Sequence, residues 1–383
     1  MITYLDIEDL LDFRSPDQPI ISFYLNTDGS RFSLDQQRAQ VKNLIRKARK
    51  SAETGNWDSS VQADLLEDVD RIESFLRDEL APGFHHRGVS VFVCKRANLW
   101  RVFQLPRSVP SNLMLEFTPY IRPLTLILDE YHRFGVLLLD RGQAELYEVY
   151  IGEIIKVENA FPATGAAAVL APIEGPGSAD RGISRRGEEE MQRHFRSVAD
   201  TLFHQFTRRH YEYLVLGGQQ QILAQFENFL HPVLYDKMVG RFAAEPGKFK
   251  PAKILDEIST LEKRVETENE KKLVKNLINT TNNRGFAVLG LEQVLHALQR
   301  GAVHMLLVEE GWHTPGMRCL NCDTLNISAV NCPECGKDVV ETSDIVDDAI
   351  ELALRTGSMI EHVNSAAGLS DQGHIGAILR FKI

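Results

Sequence analysis

Cys319, Cys322, Cys332 and Cys335 form two CxxC knuckles, CLNC and CPEC, separated by nine residues. Thiolates at that spacing wrap tetrahedrally around one ion, and four sulfur ligands leave no open position for water. The expected chemistry is therefore structural zinc (Zn2+), with an iron centre or a redox pair as the alternatives. Four of the five cysteines crowd into 17 residues, which argues against a disulfide framework spread through a secreted fold. Cys94, in VSVFVC, is expected to be a buried strand residue.

A second stretch, GPGSADRGISRRGEEEMQRHFRSVADTLFHQF at 175–206, joins a glycine-rich basic loop to an amphipathic helix. Met191, Phe195, Val198, Leu202 and Phe206 recur at three- and four-residue steps and form one apolar stripe. Ser184 is the expected N-cap, and Glu188, Glu189 and Glu190 suit the positive end of the helix dipole. In the loop before it, Arg181, Arg185 and Arg186 bring permanent positive charge to a flexible backbone that can reach phosphates. A solvated surface loop is the plainer reading. Arg193 follows on the helix. A further basic run, with Arg46 and Lys50 among Arg38, Lys42, Lys47 and Arg49, is either a helix's solvated face or a phosphate-binding surface.

These residues sit in a chain of 383 with a net charge of −10, so nucleic-acid contact must come from local patches. Apolar content of 43% and charged content of 25% fit a globular protein of about two or three domains. No apolar run approaches the roughly 20 residues that span a bilayer, and the opening MITYLDIEDLLDF is acidic. A cytoplasmic location with no membrane partner is expected.

The elements that must position the candidates follow from pattern. A strand at 20–26, helices at 33–53 and 58–80, and strands at 88–94 and 99–105 make a first α/β unit ending near Arg122. Residues 124–154 are expected to give three strands, interrupted at 129–133 and 140–143. The long helix, a strand within 211–218, a helix at 219–229 and a strand at 233–235 or beyond complete a second unit. After AAEPGKFKP at 243–251 comes a charged helix at 253–278. Helix 290–300, stopped by Gly301, strand 303–308, helix 344–356 and a closing strand in GAILRFKI follow.

Together, the second and third units resemble the archaeal and eukaryotic class-1 peptide chain release factors and their stalled-ribosome relative Pelota. The words that carry the resemblance are RFGVLLLDRGQAELYEVYIGE at 133–153, the glycine-rich loop with its long helix, YLVLGG at 213–218, GLEQVLHALQRGAVHMLLVEEG at 290–311 and GHIGAILRFKI at 373–383. Their order and spacing follow the family from about Gly88 onward. The resemblance implies an α/β protein of three domains. These are an N-terminal decoding-site-like domain (1–122), a ribonuclease-H-like middle domain (123–245) and a C-terminal domain (246–383). The last is similar to kink-turn-binding ribosomal proteins and carries the zinc ribbon as an insertion at about 312–342.

In release factors a GGQ tip in the loop before the long middle-domain helix helps water attack the peptidyl-tRNA ester. This chain has no glutamine between Gly175 and Gly187. Its only GGQ is Gly217, Gly218 and Gln219, which is expected to be a strand-to-helix turn. The stop-codon-reading NIKS word is also missing; RKARKSAETG occupies the comparable region. These departures are similar to a divergent bacterial, Balon-like branch of the family. The resemblance then implies a factor that occupies the ribosomal A site, against rRNA and the tRNA site, without decoding, in hibernation or rescue. An elongation-factor-type GTPase is a possible partner, and DNA is not. A codon-independent peptidyl-tRNA hydrolase and an RNA-binding protein unconnected with ribosomes are the alternative readings.

Overall fold

The computed structural model describes residues 4–15, 17–29, 32–79, 86–129, 132–150, 152–161, 180–248 and 250–383. Residues 4, 79, 180–186 and 282–284 are described in backbone only. The contacts divide the chain into two compact units, Met1–Glu130 with Thr267–Ile383, and Tyr131–Glu266.

The N-terminal part of the first unit opens with α1 (Tyr4–Leu11), β1 (Ile20–Asn26), α2 (Leu34–Thr54) and α3 (Ser59–Glu79). It continues with β2 (Gly88–Cys94), β3 (Leu99–Leu105), β4 (Asn112–Glu116) and α4 (Arg122–Asp129). The four strands form an antiparallel sheet in the order β3-β2-β1-β4. Helix α2 starts at a capping box, in which the Ser33 hydroxyl accepts from the Gln36 N–H and the Gln36 side chain accepts from the Ser33 N–H. Val41, Leu44, Ile45 and Ala48 of α2 and Leu65, Val69, Ile72 and Leu76 of α3 pack on Ile21, Phe23, Val91 and Val93. Cys94 is fully buried, as its strand context requires.

The second unit begins with β5 (Phe134–Leu139), β6 (Ala144–Tyr150) and β7 (Glu153–Lys156), of which β6 runs antiparallel to the other two. Helix α5 (Asp180–Arg209) leads to β8 (Tyr213–Gly218), α6 (Gln220–Phe226), α7 (Pro232–Asp236) and β9 (Met238–Phe242). Strands β8 and β9 run parallel to β5, in the order β7-β6-β5-β8-β9. Phe195, Val198, Leu202 and Phe206 of α5 bury against Leu137, Leu146, Leu214 and Leu216. The opposite face receives Ile254, Ile258 and Leu261 from the first half of α8 (Pro251–Arg284).

The C-terminal part of the first unit holds β10 (Ala287–Leu289), α9 (Leu291–Gln299), β11 (Val303–Glu309), β12 (Gly316–Arg318), β13 (Leu325–Asn326) and β14 (Val340–Thr342). Helix α10 (Ile345–Arg355), β15 (Met359–Val363) and β16 (Ile375–Leu379) follow. The main sheet is ordered β10-β16-β11-β15, and a small sheet is ordered β13-β12-β14. Gly301 ends α9 with φ 63°, and its N–H and that of Ala302 return to the carbonyls of Leu298 and Ala297.

The structure corrects three expectations. Residues 122–129 form helix α4, not a strand: Leu124, Ile127 and Leu128 recur at helical steps and are buried, and Pro123 lies in the first turn, where a missing N–H costs nothing. Residues 232–236 are also helical, and the strand follows at 238–242. The long helix starts at Asp180, so Ser184 lies inside it instead of capping it, and Arg181, Arg185 and Arg186 have helical backbone where a loop was expected.

Candidate metal centre and its surroundings

Strand β12 delivers Cys319 and the turn after it delivers Cys322, while the second knuckle supplies Cys332 and Cys335. In the first turn the Asp323 N–H donates to Cys319 O, with Asp323 at φ 57°; in the second the Gly336 N–H donates to Cys332 O, with Gly336 at φ 71°. The Cys319 N–H and Cys332 N–H are in turn held by the carbonyls of Thr324 and Lys337. Two matching backbone loops therefore aim four sulfurs at one point.

All four Sγ atoms lie within 4.8 Å of one another. Sγ–Sγ separations are 3.5 Å for Cys319 and Cys335, 3.4 Å for Cys322 and Cys332, and 3.5 Å for Cys322 and Cys335. A disulfide would require about 2.05 Å. A tetrahedral ion with metal–sulfur bonds of about 2.3 Å needs sulfur edges of about 3.8 Å, close to these values. Cys319 and Cys332 are buried, and Cys322 and Cys335 are exposed. Burial opposes ionisation of Cys332, but the backbone N–H groups of Cys335 and Glu334, with Cys322 and Thr324 beside them, carry its pKa down to about 6. That is the direction a ligating thiolate needs. The four cysteines thus form a candidate structural metal site.

Immediately before Cys319, Arg318 is buried among carboxylates that the sequence reading did not single out. Its guanidinium donates to Asp348 Oδ1 (2.6 Å), Glu351 Oε2 (2.6 Å), Asp323 Oδ1 (3.2 Å) and Thr118 Oγ1 (3.1 Å). Burial acts against its charge, and Glu351 and Asp348 more than offset this, so its pKa is raised. Arg14 approaches Asp323 Oδ2 at 2.5 Å, and Arg355 reaches Glu351 at 2.8 Å while donating to Leu11 O. The knuckle turn, α10 and the N-terminal segment therefore meet in one charged network.

A second buried group lies beside it. Arg122 donates through its side chain to Asp344 Oδ2 (3.3 Å) and Glu309 O (2.9 Å), and its N–H donates to Asp347 Oδ1 (2.8 Å). Burial, then the nearby Asp344 and Asp348, push the Asp347 carboxyl well above its usual range. His362 Nε2 is 3.0 Å from Thr125 Oγ1. Since that hydroxyl gives its only proton to Arg122 O, Nε2–H must be the donor. Burial, aided by Arg122, lowers the His362 pKa to about 3. The signal in the sequence was present: Asp344, Asp347, Asp348 and Glu351 recur at three- and four-residue steps on a helix otherwise rich in apolar residues.

The expected RNA-contacting residues lie on helices α2 and α5. Arg46 and Lys50 are exposed on α2, and Arg193 is exposed on α5. Arg181, Arg185 and Arg186 are described in backbone alone, and residues 175–179 of the expected loop lie outside the described residues. The GGQ tripeptide ends β8. Gly217 and Gly218 are buried, and Gln219 is the exposed N-cap of α6. A Cβ at Gly217 would fall 2.4 Å from Leu138 Cδ2, and one at Gly218 would fall 2.6 Å from Leu139 O. Close strand packing therefore accounts for both glycines.

Comparison with known proteins finds similarity to archaeal release factors. The sequence model of bacterial archaeo-eukaryotic release factor family 10 matches residues 119–263 of this chain. It is 26% identical over 293 residues to peptide chain release factor subunit 1 of Methanocaldococcus jannaschii, covering 69% of each chain. It is 22% identical over 415 residues to the protein of that name from Archaeoglobus fulgidus, covering 98% of this chain and 96% of the other. Among solved structures, Archaeoglobus fulgidus Pelota is similar at 13% identity, with a TM-score of 0.35, over 77% of this chain and 80% of that one.

Proposed function

We propose that this protein is a ribosome-associated translation factor that occupies the A site without reading a stop codon, in hibernation or rescue. One observation carries the reading. The chain aligns with one archaeal release factor subunit over 98% of its length, yet the two glycines of its GGQ are built into the buried end of a strand. A residue whose neighbours are locked in a sheet is poorly placed to enter a remote reaction centre, whereas the rest of the architecture remains available for binding. In this reading the three domains divide near residues 122 and 245, as the family resemblance implies. Zinc at Cys319, Cys322, Cys332 and Cys335 holds the outer lobe. Arg181, Arg185, Arg186 and Arg193, with Arg46 and Lys50, contact rRNA or tRNA through charge-assisted hydrogen bonds to phosphate.

Pelleting of the purified protein with bacterial ribosomes in a salt series tests the reading. Binding that weakens steeply with salt supports it. Failure to pellet at low salt, with the protein folded, removes it.

A further inference from the structure

We infer that the outer face of α2 is a phosphate-binding ridge for the backbone of an RNA helix, formed by Arg38, Lys42, Arg46 and Lys50. These four residues are spaced by four, so they follow one another along one side of the helix at steps of about 6 Å, over roughly 18 Å. All four are exposed. The helix's other side, with Val41, Leu44, Ile45 and Ala48, is sealed against the sheet. The cations therefore project from a rigid, capped element.

Three features separate this ridge from an ordinary solvated face. First, no acidic residue occurs between Gln36 and Ala52, in a protein whose net charge is −10. The long charged helix α8, by contrast, mixes lysines with Asp256, Glu257, Glu262 and Glu268. Secondly, the acid-rich neighbour α3 does not neutralise the ridge. Its Asp70 and Glu73 are taken up by Arg49, at 2.6 Å and 2.8 Å, and its Asp64 and Glu67 by Lys95, at 3.0 Å and 2.5 Å. Among the described residues Arg38 has only the exposed Asp35, at 3.8 Å, as an ion-pair partner, and Lys42 and Lys50 have none. Thirdly, the helix dipole does not explain the charges. The last turn of α2 contains no basic residue, and the dipole acts within that turn.

The occupant follows from what else α2 carries. It has no aromatic residue on which an unstacked base could lie, which favours a helical backbone over a single strand. Its apolar face is already buried, so no surface is left for insertion into a lipid layer. The choice of RNA over other polyanions rests on the ribosomal reading above.

The test uses the full chain and the variant Arg38→Gln/Lys42→Gln/Arg46→Gln/Lys50→Gln. A control, Lys271→Gln/Lys272→Gln/Lys275→Gln, removes exposed charge from α8. Binding is measured to an RNA hairpin duplex, to a DNA duplex of the same sequence and to ribosomes, each in a salt series. The quadruple variant should keep the wild-type melting curve, bind the RNA duplex at least about tenfold more weakly, and show a salt slope flatter by about three to four units. The control should match the wild type. A quadruple variant with wild-type affinity and slope overturns the ridge, as does an equal loss in the control. Equal wild-type affinity for the DNA duplex overturns the assignment to RNA. Ridge-dependent duplex binding by a protein that never pellets with ribosomes would instead sink the ribosomal reading and leave the ridge standing. Ribosome pelleting that persists while duplex binding is also unchanged by the quadruple variant would sink the ridge and leave the ribosomal reading standing.

Discussion

Arg14, just after the first helix, and Asp323, in the turn between Cys322 and Thr324, form an ion pair at 2.5 Å. The same Asp323 accepts from Arg318, and Arg318 accounts for Glu351 and Asp348 in turn. The position of a knuckle turn is therefore linked to the N-terminal segment through one carboxylate. The pair is partly exposed and adds little stability by itself; its interest is that it sits where a bound metal would fix the backbone.

Metal analysis of the purified protein is expected to give about one zinc per chain. Chelation should raise amide exchange in the knuckles and also around residues 11–15, because the Asp323 turn loses its anchor. Faster exchange confined to 319–338 would show that the two regions are not coupled. Cys322→Ser should reproduce the chelated pattern without chelator.

Loss of the Arg318 charge should be costly. Arg318→Met leaves Asp348 buried without its cation and Glu351 with Arg355 as its close one, and is expected to destabilise this unit by about 3 kcal/mol. Adding Glu351→Gln should recover part of that, with a coupling of about 1 kcal/mol or more. Urea unfolding followed by tryptophan fluorescence is a suitable readout, since Trp57, Trp100 and Trp312 all belong to the unit that holds Arg318. Simple additivity of the two substitutions would contradict the network.

His362 should make the same unit acid-sensitive. Its folded pKa of about 3 lies below the ordinary value near 6.5, so the unfolded chain binds the proton more readily. The resulting stability is fully present above about pH 6.5 and is lost as pH falls towards 3, by at most about 5 kcal/mol. His362→Gln should flatten unfolding free energy against pH across that window. A profile of unchanged steepness would assign the acid sensitivity to other groups.

The GGQ tripeptide gives opposite expectations for adjacent residues. Gln219→Ala should leave ribosome binding and stability unchanged. Gly218→Ala should lower stability by at least about 1 kcal/mol, because its Cβ must displace Leu139 O or Leu223. The reverse order of effects would indicate a functional glutamine.

Strands β1, β2 and β3 were legible to the residue because each is a short β-branched or aromatic run bounded by turn residues. The metal cluster was equally legible, since CxxC spacing encodes its own geometry. Helix α4 was not, because LTLILD is too short for its period to distinguish helix from strand. The Arg122 network was hidden for a different reason: its partners Asp344 and Asp347 lie 222 and 225 residues away along the chain, and no local pattern reports such a pairing. Helix α5 extended beyond its expected start because Gly182 and Gly187 are tolerated within a helix whose later turns are anchored by Phe195, Val198 and Leu202.

The most direct test of the central claim uses bacterial ribosomes carrying labelled peptidyl-tRNA in the P site and an empty A site. After incubation with the protein, the ribosomes are pelleted and the peptide is assayed for release. The expected result is protein in the pellet, independent of the A-site codon, with the peptide still attached to its tRNA. Release of the peptide would make the protein a hydrolase, and absence of the protein from the pellet at low salt would contradict ribosome association itself.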